Sequence, residues 1–354
     1  MNDLVIFRRV ITIAFIGLLT GCMKPAHAPK TIHVDSLSSL QRAIDHSSRG
    51  QTIVIDNGVY HQSRPITIRG QQDLTITGAT RDFADTVLHG PGMNDARLES
   101  NIRVDDSDRI TLKYFTVRDS HDHGVQINND SDAFVANHLH TLDNGESGFK
   151  VTSPRHGHGA AAYSDDGLIT HSLIEFTRTG QRQVVEGIDI VAGNDWHLLN
   201  NRFRNIRRAD GGPAYAAFAK GNAHGTVMAN NIVAHSFIGL SFGGGGTNPV
   251  FFRNGRTDSE TRGGVIRNNV IYDTDDAGIY LNKASGFRVH GNTVLRNGPG
   301  TGSIESRFAA SHGRIDHNHL SGPIKKRDGG RARLNDNQTI DPRTAPPRAL
   351  ERDR

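Results

Sequence analysis

Apolar and polar positions recur in two alternating phrases along most of the chain. The first has two apolar residues, a polar pair often ending in asparagine, then an apolar pair. Examples are Phe134-Val-Ala-Asn-His-Leu139, His197-Leu-Leu-Asn-Asn-Arg-Phe203, Val227-Met-Ala-Asn-Asn-Ile232, Val265-Ile-Arg-Asn-Asn-Val270 and Arg314-Ile-Asp-His-Asn-His-Leu320. Aligned, they place Asn137, Asn201, Asn231, Asn269, Asn292 and Asn318 in one column, with His171 substituting once. The second phrase is a small residue followed by strict alternation: Gly124-Val-Gln-Ile-Asn128, Gly148-Phe-Lys-Val-Thr152, Gly187-Ile-Asp-Ile-Val191, Gly239-Leu-Ser-Phe-Gly243, Gly278-Ile-Tyr-Leu-Asn282 and Ser303-Ile-Glu-Ser-Arg307. Alternation with period two over four or five residues predicts half-buried strands.

Each repeat therefore holds about three short strands, and stacking equivalent strands in parallel gives an all-β solenoid, a parallel β-helix. A β-propeller needs regular blades of about 40 residues. Here the spacing of the asparagine column runs from 23 residues (269 to 292) to 38 (231 to 269), which a solenoid accommodates as loop insertions. Stacked asparagines suit such a turn because each amide both donates and accepts. Residues 36–47 predict a short amphipathic helix, with Leu37, Leu40, Ala43 and Ile44 on one face and Ser36 or Ser38 as cap. It would cover the first coil, since solenoid ends need capping. The coils begin at Gln51-Thr-Ile-Val-Ile and run to about Asn337; residues 339–354, with prolines and alanines among charges, read as a disordered tail.

Composition sharpens this picture. Of 354 residues 39 are glycine, against about 7% as the usual share, and aromatics are only 6%. Disorder, collagen and an Ala/Glu/Lys/Leu-rich bundle are excluded. Length alone suggests two domains, but one solenoid over residues 31–338 accounts for nearly all of the chain.

The amino terminus points to a compartment. Arg8 and Arg9 precede the apolar run Val10 to Leu19, which is too short to span a bilayer. Leu19-Thr20-Gly21-Cys22 resembles a bacterial lipobox, and Cys22 is the single cysteine. We expect a lipoprotein signal peptide over 1–21, acylation of Cys22, a tether over 22–30 and an outer-membrane anchor facing the periplasm or the cell surface. Loss of the signal peptide lowers the formal charge of +4 by one, which permits an acidic polymer as partner. The extracytoplasmic location and scattered Lys and Arg disfavour nucleic acid. The protein is expected to act as a monomer.

The opening helix, Gly50-Gln-Thr-Ile-Val-Ile and Asn57-Gly-Val-Tyr60 are similar to the start of the pectin-lyase-like superfamily. Glu146 to Val151, Gly187-Ile-Asp-Ile190 with Trp196, Ile304-Glu-Ser-Arg-Phe308 and Arg327-Asp-Gly329 look like a subgroup of secreted bacterial members. The resemblance covers residues 31–338 and implies a right-handed single-stranded parallel β-helix. It also implies a carbohydrate-active role, since the superfamily holds lyases, hydrolases and C5-epimerases of uronic-acid polymers besides non-enzymes.

In the alternating phrase the outward column reads Gln126, Lys150, Asp189, Ser241, Tyr280, Glu305 and Lys325. Two residues on come Asn128, Thr152, Asn282, Arg307 and Arg327. Coils about 4.8 Å apart make this a polar strip of oligosaccharide length. Abstraction of the proton beside a uronate carboxylate needs a cation and a base. Lys150, Lys220, Arg307 and Arg327 are candidate neutralisers, and a lysine or histidine the base. Asp189 and Glu305 are candidates for calcium binding, as the superfamily implies, or for an acid–base pair, although several coils separate them. Gln126, Tyr280 and Asn282 are candidate substrate contacts. Alternatively these side chains are polar because water faces them.

Asp119-Ser-His-Asp-His-Gly124 partly resembles the Asp-Pro-His-Asp motif of mannuronan C5-epimerases, with Ser120 for the proline. It reads as a solvated turn, or else offers His121 or His123 as base. His156 and His158 have a ligand-like spacing but no third ligand, so a loop is the better reading. Segments 153–166, 206–214 and 243–264 are expected as insertions beside the groove. Their Tyr163, Phe251 and Phe252 could stack on sugars or fold the loops down. The sequence thus points to a lyase or C5-epimerase of an acidic polysaccharide, the alternative being a non-catalytic binding or envelope scaffold lipoprotein.

Overall fold

The computed structural model describes residues 30–152, 162–180, 182–244 and 246–344. Cys22 with the signal and tether segments, His156, His158 and the tail beyond 344 lie outside them. Three parallel sheets of 14, 10 and 11 strands form the faces of a right-handed β-helix. One coil shows the plan: Val227–Ala229 in the first sheet, Ile232–Ala234 in the third, then Ile238–Phe242 in the ten-stranded sheet. Each pairs in parallel with its equivalents before and after. The inward positions stack as apolar columns. In the 14-stranded sheet Leu198, Met228, Ile266 and Val289 follow one another in register, all fully buried.

The expected helix is Leu37–Asp45, capped by Ser36 in a capping box with Ser39. Leu40 and Ile44 are buried, and Leu37 and Ala43 pack against the same core. The helix thereby covers apolar surface that the first coil would expose.

The glycines that start the ten-stranded sheet's strands have a packing cause. A Cβ on Gly239 would lie 2.2 Å from the Gly278 carbonyl oxygen of the next coil, and one on Gly187 would lie 2.3 Å from that of Ala216. Side chains at these positions would strike backbone that cannot move without breaking the ladder.

The asparagine column differs from the sequence reading in its first members. Asn201, Asn231, Asn269, Asn292 and Asn318 form a buried ladder that ends on the half-buried Asn337. Each Oδ1 accepts the backbone N–H of the preceding coil, and Asn231 Nδ2 donates to Leu198 O at 2.8 Å. Ser172 continues this ladder: its N–H donates to Asn201 Oδ1 and its hydroxyl accepts from Leu139 N–H. Asn137 instead lies inside a strand, paired with Thr170, and His171 is the left-handed residue just before the ladder position. The aligned phrases were offset because strand and turn share the same polar residues.

Candidate functional site

The outward face of the ten-stranded sheet brings the candidate residues onto one row. Arg103, Gln126, Lys150, Asp189, Phe218, Ser241, Tyr280, Glu305 and Lys325 are consecutive register partners. Phe218 is the member that sequence reasoning missed between Asp189 and Ser241. Ala216 stands where the other strands carry glycine, so Tyr215–Lys220 did not match the phrase. Thr152 bonds Asn128 Oδ1, so this pair is occupied within the wall.

The row does not form one site but two, one around Asp189 and one around Tyr280 and Glu305, three and four coils further on. The first is an ionic cluster. Asp189 is fully buried and its Oδ2 accepts from Lys150 Nζ and, at 3.2 Å, from Lys220 Nζ. Lys150 also reaches Glu146 Oε1 at 3.3 Å. Burial would raise the Asp189 carboxyl, but Lys150 and Lys220 outweigh it and hold it below the usual range. Burial would lower Lys150, but Asp189, Glu186 and Glu146 outweigh it and hold the ammonium above its usual value. Glu186 sits at the margin, 1% exposed, and burial followed by repulsion from Asp189 pushes it up to about 8. Burial and then Lys150 push His123 down to about 3; its Nδ1 pairs with Ser147 Oγ at 2.9 Å.

Glu186 and Glu146 were also missed. Two residues before inward Ile188, Glu186 would point inward by simple alternation. Instead Gly187 faces the core atoms of Phe203 and Ile174, which turns Glu186 outward to the lysines. Segment 119–124 is not a solvated turn. Asp119, Ser120 and His123 are buried, Asp119 pairs with His89, Arg118 and Arg178, and His121 contacts Asp122 and Arg182. Gln126 is buried too, accepting from Ser100 Oγ at 3.1 Å.

Calcium does not suit this donor set. Two ammonium groups already occupy Asp189, Glu305 stands four coils away, and among the described residues no group of three His, Cys, Asp or Glu is placed to hold a metal.

The second site is a cleft of about 480 Å³ whose lining includes Tyr215, Glu260, Tyr280, Asn282, Lys283, Glu305, Arg307 and Arg327. Arg307 Nη1 donates to the Tyr280 hydroxyl at 3.3 Å and pairs with Asp328. Arg327 Nη1 donates to Glu305 Oε1 at 3.1 Å. Burial raises the Tyr280 phenol, Arg307 opposing, so it carries its proton at neutral pH. Lys283 Nζ makes no ion pair among the described residues and lies 5.8 Å from the Phe308 ring centre. Asn282 Nδ2 donates to Gly244 O at 3.1 Å.

From the segment 243–264, Gly244, Thr247, Pro249, Phe252 and Glu260 line one side of the cleft. A Cβ on Gly244 would lie 2.4 Å from the Phe218 ring, and Arg253 N–H donates to Gly221 O at 2.8 Å. Glu260 anchors it, accepting from Gly221 N–H and Thr247 Oγ1, both at 2.9 Å. Phe252 and Tyr163 are buried, and Arg253 lies 4.2 Å over the Tyr163 ring. These aromatics fold the loop down. The aromatic lining of the cleft is Tyr215, Phe252, Tyr280 and Phe308, with Tyr215 stacked on Phe218 at 4.7 Å and Tyr280 in the same apolar cluster. Trp196 is in the core, bonding Ser164 O at 2.8 Å. A larger hollow of about 770 Å³ over residues 91–97 and Arg178 is less suited, since Arg97 closes on Asp95 and Arg178 on Asp119.

Residues 186–330 match the family model described as right handed beta helix region. No curated protein matches the sequence. Among solved structures, similar folds occur in an alginate lyase from Paenibacillus sp. str. FPU-7, at 17% identity over 87% of this chain and 98% of that one, TM-score 0.57. The A-module of mannuronan C-5 epimerase AlgE4 from Azotobacter vinelandii matches at 14% identity over 89% and 94%, TM-score 0.55. PfbA, a surface adhesin of Streptococcus pneumoniae, matches at 14% identity over 88% and 92%, TM-score 0.59. Likeness at these identities concerns the fold. With its three parallel sheets and its matched coils, the chain has the right-handed parallel β-helix fold.

Proposed function

We propose that this protein binds and processes an acidic, uronate-containing polysaccharide in the cleft at Tyr280 and Arg307, as a lyase or C5-epimerase. The observation that carries the reading is the meeting of Lys283, Arg307 and Arg327 with a protonated phenol and the Tyr215 ring in one groove. Cations beside a uronate carboxylate stabilise the charge that develops when the C5 proton leaves. In elimination the C5–H electrons form the C4–C5 double bond, the C4–O bond breaks, and the leaving oxygen takes a proton from Tyr280. In this reading Arg307 and Arg327 are the cations, and the amine of Lys283, which lines the same cleft, takes the C5 proton. In epimerisation the proton returns to the opposite face of C5. The alginate lyase and mannuronan epimerase folds support the substrate class. We further propose that Cys22 is acylated and anchors the protein in the outer membrane.

A non-catalytic binder is the second reading, favoured by the ion pairing of both Arg307 and Arg327. Incubation with a panel of uronate polymers separates the two. A lyase gives the ultraviolet absorbance of unsaturated uronate, and an epimerase changes the polymer's NMR spectrum. Either signal should disappear in Tyr280→Phe and Arg307→Ala. Retention of polymer with neither signal on any substrate would leave the binder.

A further inference from the structure

The last coils carry the chain's excess charge, divided between the cleft's face, with Lys325, Lys326 and Arg327, and a second face, with Arg314, Arg331 and Arg333. Between His312 and Arg333 there are six Lys or Arg and two Asp, a surplus equal to the formal +4 of the whole chain. On the 14-stranded sheet Arg288, Arg314 and Arg333 are register partners on three successive coils. All three are exposed, because Val289 and Ile315 point into the core from the alternate positions. Arg331 and His312 complete a surface hollow of about 510 Å³ with Arg314 and Arg333. Like charges on directly paired positions destabilise a sheet. The compensation is a single carboxylate: buried Asp316 lies 3.7 Å from Arg288 and 3.6 Å from Arg314, and neither of its oxygens accepts a hydrogen bond. Arg331 and Arg333 make no ion pair among the described residues.

We propose that this arginine ladder is a second docking surface, distinct from the cleft, for a linear anionic polysaccharide lying along the solenoid axis. Guanidinium groups about 4.8 Å apart present a row of planar forks to carboxylates repeated along a chain. The lining offers no aromatic ring other than the His312 imidazole on which nucleic-acid bases would stack. Leu334 is 46% exposed, but it lies on the opposite side of its strand from Arg333, in register with Ile315, and is no part of this lining, which has no large apolar side chain to insert into a membrane. A polymer held here stays near the protein while other segments visit the cleft.

The test uses the full chain carrying Arg307→Ala, so that the cleft does not report. Binding of a galacturonate oligomer is measured at low and high salt, with and without Arg331→Gln and Arg333→Gln. Arg288 and Arg314 are left intact because they lie beside the buried Asp316 carboxylate. We expect the double substitution to weaken binding roughly tenfold at low salt, with the difference vanishing at high salt and melting unchanged. Equal binding with and without it overturns the proposal. So does a loss confined to phosphatidylglycerol vesicles or to a single-stranded DNA oligomer. Failure of the cleft reading shows separately, as turnover that survives Arg307→Ala.

Discussion

Lys150 and Asp189 meet on neighbouring coils although 39 residues separate them, and the ammonium donates to a carboxylate that no solvent reaches. A buried charge that loses its partner is costly, whereas an apolar pair of similar volume is often neutral. Lys150→Ala should therefore cost about 3 kcal/mol in urea unfolding, near the lower end because Lys220 still holds Asp189. Lys150→Met with Asp189→Leu should recover most of it. An unchanged urea midpoint for Lys150→Ala would show that the pair is not buried as described. Lost activity in that single variant would report unfolding rather than chemistry.

The same cluster sets a pH dependence of stability. Glu186 is raised from 4.5 to about 8, so the folded state binds its proton more tightly than the unfolded chain. That stability is complete below pH 4.5 and is lost as pH rises through about 8. His123 is depressed from 6.5 to about 3, so the unfolded state binds more protons in that window and stability rises with pH across it. Glu186→Gln should flatten the falling limb and His123→Gln the rising one, read as melting temperature against pH. Each limb should approach roughly 1.4 kcal/mol per pH unit at its steepest. Parallel profiles for wild type and Glu186→Gln would rule out the assignment to Glu186.

The ladder asparagines give the clearest comparison between sequence and structure. Asn231→Ala removes the acceptor of Asn201 N–H and the donor to Leu198 O inside the wall. Two backbone groups are left unsatisfied, at about 2–4 kcal/mol together. Asn137 shows the same pattern in sequence but stands in a strand, its side chain only half-buried, and Asn137→Ala should change stability by about 0.5 kcal/mol or less. Equal losses in thermal melts would restore the first alignment.

The sheets, the capping helix and the outward row from Gln126 to Lys325 were legible because alternation and stacking act locally along each strand. Phe218 was not, because Ala216 replaces the glycine that marked the other strands. Glu186 was not, because a glycine reverses the side to which its neighbour points. The division into two sites was hidden for a third reason. The cleft depends on a loop that lines one side of it and is fastened by contacts between residues far apart in the chain, such as Arg253 with Asp165 and Glu260 with Gly221.

That fastening leads to a last prediction. Arg253 Nη1 and Nη2 both reach Asp165, each at 2.7 Å, and Nη1 also donates to Ala192 O at 2.8 Å. The loop wall of the cleft thus depends on a bidentate pair that contributes no atom to the cleft's lining. Arg253→Ala should loosen the wall, raise KM for a uronate oligomer several-fold and leave kcat nearly unchanged, because Tyr280, Lys283 and Arg307 stay on their strands or strand ends. Arg253→Lys should restore little, since one ammonium cannot span both carboxylate oxygens and the Ala192 carbonyl. If kcat falls in step with KM's rise, the loop takes part in the chemistry, and the cleft must be redrawn to include the ionic cluster around Asp189.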